Sequence, residues 1–275
     1  MKLRPLLLVA VILLAGSLGT IPTLAQNDAV QISALGTISY VNRDPVRHVD
    51  FETGDFSQVP PGDTHGDNGS SFPTVVTDMV HSGTYAARCR LDDPSVSYAS
   101  SIRMWGIEPK TAPLYYSFWI YIQDGYEAVS GGDTWQMICE WGAPNPIGAN
   151  QHVGLMFMNA HGVKNNLNFN FYQIHVDWGV PGADPSEDCA LVFSDVEMPT
   201  GEWVFFETYY RTDMTDGIIQ VKMNGTVILE WRGRTEFDPG ENTNISFTVT
   251  NYCGPAAPPH SFWFDDVWID YVSHA

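Results

Sequence analysis

The stretch WVFFETYYRTDMTDGIIQVKMNGTVILEW, from Trp203 to Trp231, decides the fold class. Its apolar segments are rich in aromatic and β-branched residues, which favour strands. Asn224 and Gly225 separate the last two segments, and this pair suits the positive φ angles of a two-residue hairpin turn. The stretch therefore predicts antiparallel strands joined by tight turns.

The same pattern recurs along the chain from residue 48 onward. Further aromatic and β-branched segments are separated by loops rich in Gly, Pro, Asn and Asp, and no amphipathic helix of useful length is evident. The segments are LYYSFWIYI (114–122), VGLMFMN (153–159), ISFTVTNY (245–252) and SFWFDDVWIDYV (261–272). Many antiparallel strands with long loops predict an all-β fold, an antiparallel β-sandwich or jelly roll, with residues 48–275 as a single domain.

The N-terminus has the features of a secretory signal peptide. Lys2 and Arg4 precede an apolar run from Leu6 to Ala15, and small residues follow up to Ala25. We therefore assign residues 1–25 to a signal peptide and residues 26–47 to a lead-in segment. The leader predicts a secreted protein, extracellular or periplasmic.

The mature chain is strongly acidic. The full sequence has a net charge of −19, and without Lys2 and Arg4 it has 11 basic against 32 acidic residues, a charge of −21. Such a surface repels nucleic acids and anionic membranes. We therefore expect no nucleic-acid partner, no membrane insertion after signal cleavage, and a monomer. An acidic polymer would bind only where the few arginines gather.

Four cysteines remain, Cys89, Cys139, Cys189 and Cys253, and their spacing resembles no zinc site. Export makes disulfides permissible, and all pairings stay open at the level of sequence. Cys89 lies between two arginines of a strand and faces away from both, so it is a buried thiol or half of a bridge.

One strand carries an unusual row of polar side chains. In FNFYQIHVDW, from Phe169 to Trp178, alternation places Gln173, His175 and Asp177 on one face. The apolar phase of the preceding residues changes near Phe171. Either a β-bulge shifts the register there, or the face changes from an aromatic platform to a polar patch. The alternative is an ordinary strand with a solvated face.

Two segments at the ends of the domain carry acidic residues at strand rims: HVDFETGDFSQ (48–58) and SFWFDDVWIDYV (261–272). They resemble the concanavalin A-like jelly-roll carbohydrate modules, in which a first strand FE.G and a last strand DDV meet around a structural calcium. The resemblance implies Glu52, Asp265 and Asp266 as calcium ligands, together with nearby carbonyl oxygens. The alternative is that these acids only solvate strand ends.

The QIH element resembles the Gln-x-His element of alginate lyases. The wider pattern of FETGDFSQ, GGDTWQMICEWG and GEWVFFETYYR resembles the jelly-roll polysaccharide lyases, including heparin lyase I-like and glucuronan lyase-like proteins. Those families combine an early strand with arginine, the central Gln-x-His and a late strand ending in tyrosine. Here AARCRLD supplies Arg88 and Arg90 as the early element, and ISFTVTNYCG supplies Tyr252 as the late one.

This resemblance implies β-elimination on a uronate-containing polysaccharide. The proton α to the carboxylate becomes acidic when arginine and an amide such as Gln173 neutralise that carboxylate. His175 then takes or holds the proton, and Tyr252 acts as base or protonates the leaving oxygen. The implied catalytic set is Gln173, His175, Tyr252, Arg88 and Arg90, and it needs no cofactor.

Substrate contacts are expected from aromatic and polar side chains on strands. Trp141 and Trp178 would stack on sugar rings. Alternation places Tyr209 and Arg211 on one face of their strand. With Glu140, these residues form the predicted substrate-binding set.

Two other functions fit the same sequence. A non-catalytic carbohydrate-binding module would use the tryptophans in the same way as an enzyme. A glycoside hydrolase of the same fold would use Glu140 and Glu207, and retaining chemistry would require these carboxyl groups about 5 Å apart.

Overall fold

The computed structural model describes residues 29–32, 38–41, 47–59, 64–66, 72–93, 99–107, 113–128, 135–143, 151–172, 189–213, 215–233, 235, 245–254, 257–271 and 273. The chain divides into two units, Met1–Arg43 and Asp44–Ala275. The first unit contains an antiparallel pair of strands, β1 (Ala29–Ile32) and β2 (Ile38–Val41).

The second unit is built from β-strands, and no described residue of it lies in a helix. Its strands are β3 (Arg47–Val49), β4 (Thr64–Gly66), β5 (Thr74–Val76), β6 (Ala86–Leu91), β7 (Ala99–Ile107), β8 (Leu114–Ile122), β9 (Gln136–Ala143), β10 (Gln151–Ala160), β11 (Val163–Tyr172), β12 (Cys189–Glu197), β13 (Trp203–Arg211), β14 (Gly217–Met223), β15 (Thr226–Gly233), β16 (Ile245–Cys253) and β17 (His260–Asp270). Within the described ranges, no helix is long and apolar enough to cross a membrane.

These strands form two antiparallel sheets. Sheet I has seven strands in the order β12-β11-β10-β9-β16-β7-β4. Sheet II has eight strands in the order β15-β14-β13-β8-β17-β6-β5, and β3 pairs with β17 beside that path. The two sheets stack as a β-sandwich, so the predicted all-β fold is confirmed.

The core lies between the sheets and follows from strict alternation along the strands. Phe118, Phe206 and Phe264 of sheet II and Phe157 and Phe247 of sheet I are all fully buried. Burial of one such side chain contributes about 2 to 3 kcal/mol of hydrophobic stabilisation. The alternate residues of each strand therefore point to the outer face of their own sheet.

The hairpin predicted from the quoted stretch is present. β14 pairs with β15 in antiparallel register around Asn224 and Gly225, whose φ angles are 48° and 80°. Asn224 also accepts a hydrogen bond from the main-chain nitrogen of Phe205 through its side-chain oxygen (2.9 Å), which fixes the turn against β13.

The polar row predicted on β11 lies at the edge of the described chain. β11 pairs with β10 in regular register from Asn166 to Tyr172, so no bulge interrupts that pairing up to Tyr172. Gln173, His175, Asp177 and Trp178 lie outside the described residues.

Three cysteines whose side chains the structure describes are free thiols. Cys89, Cys139 and Cys253 are buried and unpaired, which corrects the expectation of disulfides among these three. Burial raises the pKa of Cys89 and of Cys253 to about 12 and also raises that of Cys139. The side chain of Cys189 lies outside the described part.

Candidate active site

A polar surface lies on the outer face of sheet I, and we call it the site face. Core residues such as Val249 alternate with residues that turn away from the core. The site face is defined by Ser101 and Arg103 of β7, Glu140 of β9, and Thr248, Thr250 and Tyr252 of β16.

Arg103 lies in the middle of this face. In register it stands opposite Thr248, which in turn stands opposite Glu140. The guanidinium Nε donates to Thr248 Oγ1 at 3.4 Å, and Nη2 lies 3.9 Å from Glu140 Oε1. The Arg103 side chain keeps 35% of its surface exposed, whereas Glu140 keeps 17%. A partly exposed cation is therefore held above the sheet by a hydroxyl and a carboxylate.

The residues next to Arg103 form a buried polar floor. Ser101 Oγ and Thr250 Oγ1 lie 2.6 Å apart across β7 and β16 and share a hydrogen bond. Thr248 is fully buried and Thr250 nearly so, although neither side chain faces the hydrophobic core. The hydrogen bond compensates the Ser101 and Thr250 hydroxyls for their burial, so the floor is an ordered feature of the site.

Tyr252 stands at the end of the same row of β16 residues. It is half-buried, and its ring packs edge-on against Trp135 with centroids 4.6 Å apart. In register it lies opposite Met137, and Met137 also pairs with Met156. Successive residues on one face of a strand are about 7 Å apart, so the tyrosine backbone lies two such steps from that of Thr248.

Gly154 leaves room beside this row. It pairs with Glu140, and a Cβ atom at this position would lie 2.7 Å from the Met137 methyl carbon. A larger residue would therefore push Met137 out of place, so glycine allows the methionine side chain to lie flat on the sheet.

Arg88 and Arg90 do not join this face. Both belong to β6 of sheet II and flank the buried Cys89, so they point away from the core on the opposite side of the sandwich. Arg88 lies 3.8 Å from Asp78, and Arg90 lies 2.6 Å from Asp92. The structure therefore does not bring these two arginines together with Tyr252, and Arg103 lies beside the β16 row instead.

Tyr209, Arg211 and Glu207 also lie on the outer face of sheet II. Tyr209 packs against Tyr115 with centroids 5.2 Å apart, and Arg211 pairs with Asp216 at 3.0 Å. Tyr209 and Arg211 therefore lie on the opposite side of the sandwich from Tyr252, and the structure does not join them to the site face.

Glu207 is buried on that same sheet and pairs with Lys222 at 3.0 Å. Glu140 and Glu207 therefore face opposite sides of the sandwich, so this pair lacks the separation of about 5 Å between carboxyl groups that a retaining hydrolase requires.

Trp141 is a core residue. It is fully buried and packs against Tyr116, Tyr210 and Phe247 with centroid distances of 5.4 to 5.6 Å. The prediction that Trp141 stacks on substrate is therefore wrong, because its ring lies in the core. Neighbouring residues of a strand point to opposite faces, so Glu140 is on the site face and Trp141 is not.

Three residues near the site, Ser101, Arg103 and His65, were not singled out from the sequence. In SSIRMW, alternation puts Ser101 and Arg103 on one face of the strand and the apolar Ile102 and Met104 on the other. This pattern could have identified Ser101 and Arg103 as residues that point away from the core. His65 pairs with Ser101 through β4, so the main chain brings a histidine to the row of Ser101 and Thr250. β4 is only three residues long, and so short a strand leaves little pattern to read.

The proposed calcium residues occupy a corner of sheet II. His81, Asp265 and Asp266 offer ligand atoms within 4.8 Å of one another. Asp265 Oδ2 accepts hydrogen bonds from the main-chain nitrogens of His81 (3.0 Å) and Ser82 (3.1 Å). Glu52 Oε1 instead accepts from the main-chain nitrogens of Thr84 and Tyr85. Both acids hold the same loop, and Glu52 is outside the close group.

The two neighbouring carboxyl groups of this corner have pKa values shifted in opposite directions. Burial, reinforced by the charge of Asp266, raises the pKa of Asp265 to about 6, against the hydrogen bonds from the loop. The neighbouring His48, whose Nε2 lies 3.5 Å from Asp266 Oδ1, lowers the pKa of Asp266. His48 and His81 each stack on a tryptophan, with centroids 3.5 and 3.7 Å apart. Carboxylate oxygens suit calcium, so Asp265 and Asp266 fit that ion, with His81 as a neighbour.

Comparison with known proteins places this geometry in a family. A comparison of the sequence with curated proteins finds no match. Endo-β-1,4-glucuronan lyase from the fungus Trichoderma reesei matches with a TM-score of 0.61 and 12% identity, over 82% of this chain and 95% of that one. Alginate lyase vAL-1 from Chlorella virus matches with a TM-score of 0.58 and 12% identity, over 82% and 99%.

At such low identity, these structures establish a shared fold. The family model described as polysaccharide lyase matches residues 51–268, which include every described residue of the site face. The match covers most of the chain, so the protein belongs to the polysaccharide lyase family.

Proposed function

We propose that this polysaccharide lyase cleaves a uronate-containing polysaccharide by β-elimination on the site face. The observation that carries the proposal is the position of Arg103, fixed by Thr248 and Glu140 on the same face as Tyr252. A cation beside a tyrosine provides the charge neutralisation and proton transfer that the reaction requires. The glucuronan and alginate lyases of similar fold support an acidic substrate.

The reaction would proceed by loss of the proton α to the uronate carboxylate. Arg103 would bind that carboxylate and stabilise the negative charge that develops next to it. A base removes the C5 proton, the electron pair forms the C4=C5 double bond, and the bond between C4 and the linking oxygen breaks. The leaving oxygen takes up a proton, so each cleavage yields one unsaturated end and one ordinary end.

Tyr252 is the described residue best placed to transfer protons. Its half-buried ring lies on the site face beside Trp135, and the backbone distance to Arg103 is about 13 Å along the strand direction, which two long side chains can close around one sugar unit. Gln173 and His175 remain proposed partners from the Gln-x-His resemblance. Glu140 would keep the guanidinium oriented.

The experiment that tests this function measures ultraviolet absorbance of the unsaturated product. Purified mature protein is incubated with a panel of uronate polymers and with a neutral polymer as control. We expect absorbance only with uronate polymers, and strongly reduced absorbance with Tyr252→Phe. Tyr121→Phe, on the outer face of sheet II, is the matched control and should keep full activity. Binding without absorbance in the wild-type protein would favour a carbohydrate-binding module.

Export and calcium are further parts of the proposal. Residues 1–25 would act as the leader, so mass spectrometry of the exported protein should find a chain that begins at residue 26. A structural calcium would be held by Asp265 and Asp266, with Glu52 anchoring the adjacent loop. Calcium should then raise the melting temperature without changing kcat, and EDTA should reverse the effect.

A further inference from the structure

A cluster of polar side chains lies inside the sandwich, directly behind the site face. Gln136, Asn251 and His260 are almost completely buried, and Tyr126 keeps only 5% of its surface exposed. They come from β9, β16, β17 and the segment after β8. Burial of four hydrogen-bonding side chains between two apolar sheets is unfavourable unless each finds partners.

Hydrogen bonds join these side chains into one network. Tyr126 donates to Gln136 Oε1 at 2.8 Å. His260 Nε2 lies 3.0 Å from Gln136 Oε1 and 2.8 Å from Asn251 Oδ1. Gln136 Nε2 donates to Asn251 Oδ1 at 3.1 Å. The amide orientations follow from carbonyl acceptors outside the network, since the amide nitrogen of Asn251 donates to the main-chain oxygen of Cys89 in sheet II at 3.0 Å.

The network touches the main chain of Tyr252. Gln136 Nε2 donates to the carbonyl oxygen of Tyr252 at 3.1 Å, and Asn251 immediately precedes the tyrosine. Trp135, whose ring packs on Tyr252, immediately precedes Gln136. Gln136 therefore binds the main chain of Tyr252 directly, and its neighbour in sequence, Trp135, contacts the Tyr252 ring.

The register of sheet I changes at this point. The pairing of β9 with β16 shifts between Val249 and Tyr252, while β16 pairs regularly with β7 over the same residues. With an unshifted register, Gln136 would stand opposite Tyr252. With the shift, Met137 stands there and the Gln136 side chain turns into the core. Register shifts of this kind are common beside active sites, where they redirect side chains.

We propose that Gln136, Asn251 and His260 are positioning residues that fix Tyr252 for proton transfer. Their side-chain hydrogen bonds hold β16 from behind, where the ladder between β9 and β16 is irregular. None of the three reaches the site face, so they act through the tyrosine. This inference rests on the proposed function of Tyr252.

The test compares kcat, KM and amide hydrogen exchange in Gln136→Leu with those of the wild-type protein. Because a small misplacement of a reacting group can reduce a rate by about 100-fold, we expect kcat to fall by that order while KM changes less than about two-fold. The amides of residues 250–253 should exchange faster. His260→Gln, which keeps one donor toward the two amide oxygens, should retain more activity than His260→Leu.

The control is Thr235→Val. The Thr235 hydroxyl is also buried, and it donates to the main-chain oxygen of Arg211 at 2.8 Å, far from β16 in the topology. This variant should lose stability and keep kcat. Unchanged kcat in a folded Gln136→Leu protein would overturn the positioning role while the lyase function stood.

Activity and hydrogen exchange together distinguish failure of the proposed lyase function from failure of the proposed positioning role. Wild-type protein without product on any uronate polymer would overturn the proposed function, and with it the catalytic purpose of the network. Exchange in residues 250–253 that matches wild type would overturn the claim that the network holds β16. If Gln136→Leu does not fold, the same comparison is made with His260→Leu, which removes the contacts to both amide oxygens, and exchange and kcat equal to those of the wild-type protein would also overturn it.

Discussion

Replacement of Arg103 by glutamine is the most informative change on the site face. Arg103 Nη2 lies 3.9 Å from Glu140 Oε1, and its side chain is 35% exposed. A unit charge about 4 Å from a carboxylate at an effective dielectric constant of about 20 contributes roughly 4 kcal/mol. If the guanidinium approaches the uronate carboxylate as closely, its loss should reduce kcat/KM by roughly 1000-fold, since each 1.36 kcal/mol corresponds to a factor of ten.

The charge balance adds a second effect in the same direction. Without Arg103, the carboxylate of Glu140 faces an anionic substrate with its charge uncompensated, so KM should rise as well. Arg103→Lys should recover part of the activity, because lysine keeps the charge but lacks the planar fork of donors.

The assay is the initial rate of absorbance increase over a range of polymer concentrations at fixed salt. Arg232→Gln, an exposed arginine of β15 that pairs with Glu230 at 2.7 Å, is the matched control and should behave as wild type. If folded Arg103→Gln keeps activity within about three-fold of wild type, Arg103 does not neutralise the substrate carboxylate in the transition state.

Further predictions concern stability and the buried groups. Trp141→Ala should lower the free energy of unfolding by about 4 kcal/mol, measured by urea denaturation, because a fully buried core indole is lost; a smaller loss than about 1 kcal/mol would contradict the core assignment. Cys89, Cys139 and Cys253 should resist a thiol reagent at pH 8 in the folded protein and react after denaturation without reductant; fewer than three thiols then would show a disulfide. Burial lowers the pKa of His260 to about 4, below the value of about 6.5 in an unfolded chain. Relative to His260→Gln, the free energy of unfolding should therefore not depend on pH above about 6.5, and it should decrease by about 3 kcal/mol as the pH falls to 4. Urea denaturation across this pH range measures the difference. A difference that grows more favourable in acid would show that the oxygens around the ring outweigh burial.

The sequence predicted the fold because alternation and turn chemistry are local. The hairpin at Asn224 and Gly225 and the faces of β16 required only neighbouring residues. Alternation along ISFTVTNYC puts Thr248 and Tyr252 on one face of the strand and Val249 on the other, and in the structure Val249 is the one that lies in the core.

The candidate site was harder to predict because it depends on which sheet each strand joins. Alternation shows that Arg88 turns away from the core, but it does not show whether its strand lies beside that of Tyr252; the topology places it in the other sheet. Alternation also forbids Glu140 and Trp141 from sharing a face, since neighbouring residues point in opposite directions. The interior network was missed because Gln136 and His260 come from distant parts of the chain and meet only through a register shift.

Elimination on the site face can be tested by following both product ends and polymer binding in the same reaction. Wild-type protein and Tyr252→Phe are incubated with the most reactive uronate polymer, while absorbance of the unsaturated end, new reducing ends and polymer binding are recorded together. We expect the wild-type protein to produce unsaturated ends and new reducing ends in equal numbers, and Tyr252→Phe to keep binding but to produce neither. New reducing ends without absorbance, or full activity in Tyr252→Phe, would contradict this expectation.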